Sequence, residues 1–163
     1  ERWYLGIWNG RFPSEVVWVA NRNNPLPKPI GTLTIFNNNL HLVDQYGKSV
    51  WSTSTNGTSQ RLKKSVLTGE LLDNGNLILR CSDNHDSSGF LWQSFDYPTD
   101  TLLPDMKVGW DKKSGLNKIL RSWKTTDDPS TGDYTYKVEI REPPESYIWK
   151  KARQHSGVVR GIV

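Results

Sequence analysis

Two stretches of this chain carry the same residues in the same order: a polar turn, Asn-Leu-x-Leu, a second polar turn, and an aliphatic residue followed by tryptophan. The first runs through Asn37-Asn38, Asn39-Leu40-His41-Leu42, Asp44 to Lys48 and Val50-Trp51. The second runs through Asp73-Asn74-Gly75, Asn76-Leu77-Ile78-Leu79, Ser82 to Ser88 and Leu91-Trp92. With Asn76 set on Asn39, Leu77 falls on Leu40 and Leu79 on Leu42, and the tryptophans match after four extra loop residues. A partial third copy precedes them, ending in Val17-Trp18. Repetition of small strand-and-turn units constrains the fold strongly, because such a unit cannot bury its apolar face alone and needs its copies as partners.

Strand alternation sorts the faces of each copy. Leu40 and Leu42, like Leu77 and Leu79, point one way; Asn39, His41 and Val43, like Asn76, Ile78 and Arg80, point the other. The leucine face is the expected core, and each buried leucine contributes roughly 1.5 to 3 kcal/mol, so packing alone explains the repeat. Trp18, Trp51 and Trp92 each end a strand, where they are expected to meet in that core. Gly, Pro, Asn, Asp, Ser and Thr recur roughly every eight to twelve residues, as in an all-β fold.

Around the repeats, Tyr4 to Trp8 and Glu15 to Ala20 read as strands about the turn Asn9-Gly10. After the prolines and Thr/Asp pairs of Pro98 to Pro104, Val108 to Asp111 and Ile119 to Trp123 flank Lys112-Lys113-Ser114-Gly115 as an expected hairpin. Asp127 to Gly132 reads as a turn into a strand with Tyr134, Tyr136, Val138 and Ile140 on one face, stopped by Pro143-Pro144. Tyr147-Ile148-Trp149 starts another strand, and Lys150 to Val163 has no usable period. The expected division is residues 1–107 and 108–163.

Several function classes find no support. The +4 charge comes from scattered Lys and Arg with doublets only, which reads as solvated faces and not as a nucleic-acid footprint. No apolar run approaches the ~18 to 20 residues of a membrane span, and the N-terminus lacks the pattern of a signal peptide. The one cysteine, Cys81, allows no intrachain disulfide and no multi-cysteine metal site, and no cofactor is expected. His41, His85 and His155 are isolated. Asp73, Asp83, Asp96, Asp100 and Asp105 sit among turn residues and do not read as the facing carboxylate pair of a glycosidase. Kinase and Gly-x-Ser-x-Gly motifs are absent, so no catalytic residue is assigned. Asn56-Gly57-Thr58 is a glycosylation sequon in a polar run.

The repeats are followed by Leu91-Trp92-Gln93-Ser94-Phe95-Asp96-Tyr97-Pro98-Thr99-Asp100-Thr101-Leu102-Leu103-Pro104. Together with Tyr4 to Trp8, Val17 to Arg22, Ser122-Trp123-Lys124 and Asp127 to Gly132, this resembles the S-domain ectodomains of plant S-locus glycoproteins and G-type lectin S-receptor-like Ser/Thr kinases, which carry bulb-type lectin domains. The resemblance covers roughly residues 2 to 150. It implies an all-β bulb-type lectin β-prism: three antiparallel sheets about a pseudo-threefold axis, here lacking its first strands and followed by the start of a second lectin-like unit. It further implies an extracellular, non-enzymatic recognition module, serving pollen or self recognition by protein contact. Its partners would be a protein ligand or co-receptor at the cell surface, a second copy of the chain included. Two positions depart from the family: Ser156-Gly157-Val158-Val159-Arg160-Gly161 replaces Ser-Gly-Pro-Trp-Asn-Gly, and Cys81 stands where a polar residue is expected.

Bulb-type lectins hold mannose through Gln-x-Asp-x-Asn-x-Val-x-Tyr, and the resemblance places degenerate copies of that site here. The first copy offers Asn37, Asn39, His41 and Val43, the second Asn74, Asn76, Ile78 and Arg80, and only the central Asn matches in each. Mannose binding is thus the alternative function and glycoside hydrolysis a remote one. Incomplete sheets at both ends lead to the expectation that the isolated chain self-associates, with Cys81 available for an intermolecular disulfide.

Overall fold

A computed structural model describes residues 1–55, 66–84, 86–140, 145–151 and 161–162. In chain order its strands are β1 (Gly6–Asn9), β2 (Phe12–Val19), β3 (Gly31–Phe36), β4 (Asn39–Asp44), β5 (Ser49–Ser52), β6 (Leu67–Leu71), β7 (Leu77–Cys81), β8 (Phe90–Gln93), β9 (Gly109–Trp110), β10 (Asn117–Lys118), β11 (Leu120–Thr125), β12 (Asp128–Glu139), β13 (Glu145–Lys150) and β14 (Gly161–Ile162). Two short 3-10 turns flank β8 and no α-helix is present among the described residues, so the fold is all-β. The chain divides into two compact units, Glu1–Leu5 with Asn24–Phe95 and Gly6–Asn23 with Asp96–Val163.

The first unit holds the two complete repeats as antiparallel three-stranded sheets, β3-β4-β5 and β6-β7-β8. Asn37 and Asn38 join β3 to β4 with φ of 48° and 60°. Positive φ at both central residues matches the right-handed strand twist, and Asn tolerates it because its short side chain bonds locally. The registers Ile35↔Leu40 and Leu42↔Trp51, and Gly69↔Leu79 and Leu79↔Trp92, put these residues on one face of each sheet. Leu40, Leu42, Leu79 and Trp92 are buried there, whereas Trp51 and Leu77 are half-buried. Leu40 packs onto Gly69, and Trp51 meets Trp92 edge to face with ring centroids 5.7 Å apart. Leu26 closes over β3 at Gly31, where an added Cβ would lie 2.7 Å from a Leu26 methyl and would make that side chain shift.

One face assignment differs. Ile78 alternates to the side opposite Leu77 and Leu79, yet it is 1% exposed. It lies on the central strand of its sheet, which is covered on both faces at this point, so alternation alone does not mark its outer side.

The second unit contains the β1-β2 hairpin, the β9-β10 pair and a four-stranded sheet of order β11-β12-β13-β14. Trp18 is buried here and its indole Nε1 donates to the Tyr97 carbonyl at 2.9 Å. Trp123 likewise donates from Nε1 to Asp100 Oδ1 at 2.9 Å. Arg22 donates from Nε to the Pro129 carbonyl and from Nη2 to the Ser122 carbonyl, tying the segment after β2 to the β11-β12 connection.

Three local expectations are corrected in this unit. Val108 to Asp111 does not pair with Ile119 to Trp123: β9 pairs with β10, and β11 pairs with β12. Leu116 N–H is not free to extend a longer ladder because Asp111 and Ser114 organise a tight turn, with Leu116 O accepting from Asp111 N. Asp127 to Gly132 is not one long turn; only Thr126 and Asp127 turn, and β12 begins at Asp128. Its start is irregular, with register shifts either side of Trp123, and Gly132 permits this because a Cβ there would sit 2.2 Å from the Trp123 carbonyl oxygen. Finally, the stretch after Lys150 does contribute structure: Gly161–Ile162 pairs with Tyr147 and Ile148. Pro143 and Pro144 lie outside the described residues. Along β12, Tyr134 and the following Ile140 are exposed while Tyr136 and Val138 are half-buried.

Candidate functional site

Asn39 opens β4 and Asn76 immediately precedes β7, and in both places the side chain is spent on the fold. Asn39 Oδ1 accepts from Thr53 Oγ1 and from Thr55 N, each at 3.0 Å, while its Nδ2 donates to the Asn37 carbonyl. Thr53 Oγ1 in turn accepts from Leu40 N. Asn76 Oδ1 accepts from Ser94 Oγ and Phe95 N, each at 3.2 Å, and its Nδ2 donates to Gln93 Oε1 at 2.9 Å. Ser94 Oγ accepts from Leu77 N. The two copies therefore share one device: an asparagine at the start of the repeat's middle strand and a hydroxyl two residues beyond the repeat tryptophan bridge the second and third strands of the sheet. Its components satisfy backbone donors that the sheet leaves over, and a buried donor without a partner is costly.

The neighbouring positions are similarly occupied. Asn37 sits in the left-handed turn and Asn74 Oδ1 accepts from Asn76 N. His41 stacks on Phe36 with centroids 3.6 Å apart, and its Nδ1 lies 2.9 Å from Ser49 Oγ. Loss of solvation lowers the His41 pKa from its ordinary 6.5, with the Phe36 backbone opposing this. Val43 is half-buried opposite Thr32. Arg80 forms a salt bridge to Glu70 Oε2 at 2.8 Å, and its Nη1 reaches the carbonyls of Cys81, Ser82 and Asn84. Arg80 thereby fastens the loop after β7 to β6. The degenerate sugar positions are brought onto the two repeat sheets, and the polar side chains of Asn39, His41, Asn74, Asn76 and Arg80 bond to turns, loops and neighbouring strands.

The carboxylates do not form a facing pair. Asp96 pairs with Lys118 and Asp100 holds the Trp123 indole, Asp105 has a positive φ of 69°, and Asp73 and Asp83 are exposed in turns. Among the described residues no group of His, Cys, Asp and Glu has the arrangement of a metal site, and no helix is long and apolar enough to cross a membrane. Cys81 is a half-buried free thiol. Asn56, His85 and His155 lie outside the described residues.

A model of the D-mannose binding lectin family matches residues 15–124. The chain belongs to this lectin family. With its antiparallel sheets, membership gives the fold class, the bulb-type lectin β-prism. Among curated proteins this lectin chain is 56% identical to the S-locus-specific glycoprotein S6 of Brassica oleracea, over 91% of its own length and 34% of that protein. It is 51% identical to the receptor-like serine/threonine-protein kinase SD1-8 of Arabidopsis thaliana, over 99% of its length and 19% of the relative. A G-type lectin S-receptor-like serine/threonine-protein kinase SRK of Arabidopsis thaliana is 49% identical over 90% of the chain and 17% of the relative. The chain thus spans about a third or less of these relatives.

The hydroxyl partners of the lectin's repeat, Thr53 and Ser94, were not distinguished from the sequence, although a signal was there: each stands two residues after its tryptophan. Gln93 and the Arg22 network had no such repeat to mark them.

Proposed function

We propose that the chain is a non-enzymatic extracellular recognition module that engages a protein ligand or co-receptor at the cell surface, as part of an S-locus glycoprotein or S-receptor-like kinase. Residues 1–107 would form the bulb-type lectin domain and 108–163 part of a second lectin-like unit. The reading rests on one observation above others: the asparagines that align with the mannose motif, Asn39 and Asn76, have their amide groups engaged internally. A sugar would have to displace those bonds, leaving buried backbone donors unpaired. Pollen and self recognition fit the S-locus names of its relatives. Exposed apolar side chains on the β1-β2 hairpin, Trp8 at 58% and Phe12 at 56%, supply surface of the kind protein contacts bury. A second copy of the chain is one partner this surface suits.

The test is a glycan array with competition by methyl α-mannoside, run beside light scattering with and without reductant. Mannose-competed binding lost in Asn39→Ala or Asn76→Ala protein with an unchanged melting curve would favour the lectin alternative. In chain expressed through the secretory pathway, glycosidase treatment is expected to increase gel mobility, and Asn56→Gln to abolish that shift.

A further inference from the structure

The four-stranded sheet of the second unit carries a groove that the mannose motif does not touch. Its volume is about 460 Å³, and Arg121, Thr131, Asp133, Thr135, Trp149 and Lys151 line it. Register explains the convergence. Arg121 pairs with Thr135 and Thr135 with Trp149, so a guanidinium, a hydroxyl and an indole stand in one row on one face of β11, β12 and β13. The backbone of Lys151 donates to the Asp133 carbonyl at 2.8 Å and closes the row's end.

We propose that this groove binds an acidic oligosaccharide, one bearing uronic carboxylates. Charge sets the first half of the argument. The Arg121 side chain is exposed and has no ion-pair partner among the described residues, and the same holds for Lys151. The guanidinium of Arg22, which donates to the Arg121 carbonyl at 3.2 Å, has Asp100 as its counter-charge, so the positive field of the groove comes from its own lining. Lys137 is spoken for by Glu139 and lies 4.4 Å over the Trp149 ring, and Lys150 lies over Tyr134, so Arg121 and Lys151 are the cations available to a ligand. An unpaired guanidinium takes a carboxylate through two parallel hydrogen bonds.

The remaining lining selects a sugar over an acidic peptide. Thr131 and Thr135 offer hydroxyls, Asp133 offers a carboxylate able to accept from sugar hydroxyls, and Trp149 gives an apolar wall; few polar groups about an aromatic surface is the composition of a small-ligand site. The site lies away from Asn39 and Asn76 in the sequence and does not depend on the protein-contact reading.

Calorimetric titration of the full chain with oligogalacturonate, a neutral mannan oligosaccharide and a poly-glutamate peptide tests it. Saturable binding of oligogalacturonate alone is expected, weakening as salt is raised. Arg121→Ala and Lys151→Ala should each weaken it about tenfold or more, the loss of at least one charge-assisted hydrogen bond, with melting unchanged because both side chains are exposed. No saturable binding of oligogalacturonate at low salt overturns the proposal. Equal binding of mannan overturns the acidic specificity, equal binding of poly-glutamate shows a peptide site instead, and full affinity in both variants places the binding elsewhere.

Discussion

The hairpins β3-β4-β5 and β6-β7-β8 are built from one pattern but do not carry equal weight. Both use the asparagine and hydroxyl bridge, yet in the first copy Asn39 is half-buried, Trp51 is half-buried and Phe36 is exposed. In the second copy Asn76, Ile78, Leu79 and Trp92 are all buried. The second bridge also gains a partner, Gln93, where Asn39 turns its amide back to the adjacent turn. Local sequence thus sets which bonds form, and depth in the unit sets what those bonds are worth, since a polar group left unpaired costs more the less water can reach it.

The tryptophans should show this difference most strongly. Trp92→Ala is expected to destabilise by about 3 to 5 kcal/mol, the range for a large aromatic removed from a core. Trp51→Ala should cost clearly less, because its ring is half-buried and part of its surface already meets water. Denaturant unfolding of both variants decides; equal losses would mean that the copies are energetically equivalent and the comparison fails.

The bridges come next. Asn76→Ala leaves Phe95 N–H and the Gln93 side chain short of partners, at about 1 to 3 kcal/mol. Asn39→Ala should fall at or below the lower end of that range, since Asn39 is half-buried where Asn76 is buried. Ser94→Ala and Thr53→Val, which remove the acceptors of Leu77 N and Leu40 N, should keep the same order. A larger loss in the first copy would reverse the account.

The smallest effect is a pH dependence confined to the first copy. His41 occupies the place that Ile78 holds in the second. Its folded pKa lies below 6.5, so the unfolded chain takes up the proton first as the solution is acidified. The His41 contribution is therefore complete above about pH 6.5 and is lost as pH falls through the lower folded value. Thermal melting across that window should flatten in His41→Ile, and an unchanged slope would assign the dependence to other groups.

Much of this was legible in the residues. The Asn-Leu-x-Leu repeat located β4 and β7, and Asn37-Asn38 located a two-residue turn, because both signals depend on local geometry. Pairing beyond neighbours was less legible. The partner of β9 depends on the turn that Asp111 and Ser114 organise, and that of β11 on the two-residue turn at Thr126-Asp127 and on bulges about Trp123, none of which alternation encodes. Ile78 was misplaced because alternation tells which side a residue faces and not what covers that side. In the candidate site, Asn39 and Asn76 stood out by repetition, but their partners lie 14 to 19 residues away, and the sequence alone did not show whether those amides faced a ligand or the protein.

That last point is the account's central claim, and side-chain amide NMR tests it most directly. In a titration with methyl α-mannoside, the Asn39 and Asn76 Nδ2 resonances are predicted to stay in place, with slow exchange with solvent for Asn76. Saturable shifts at both amides, with faster exchange as sugar is added, would show that the bonds open to a ligand and would contradict the account.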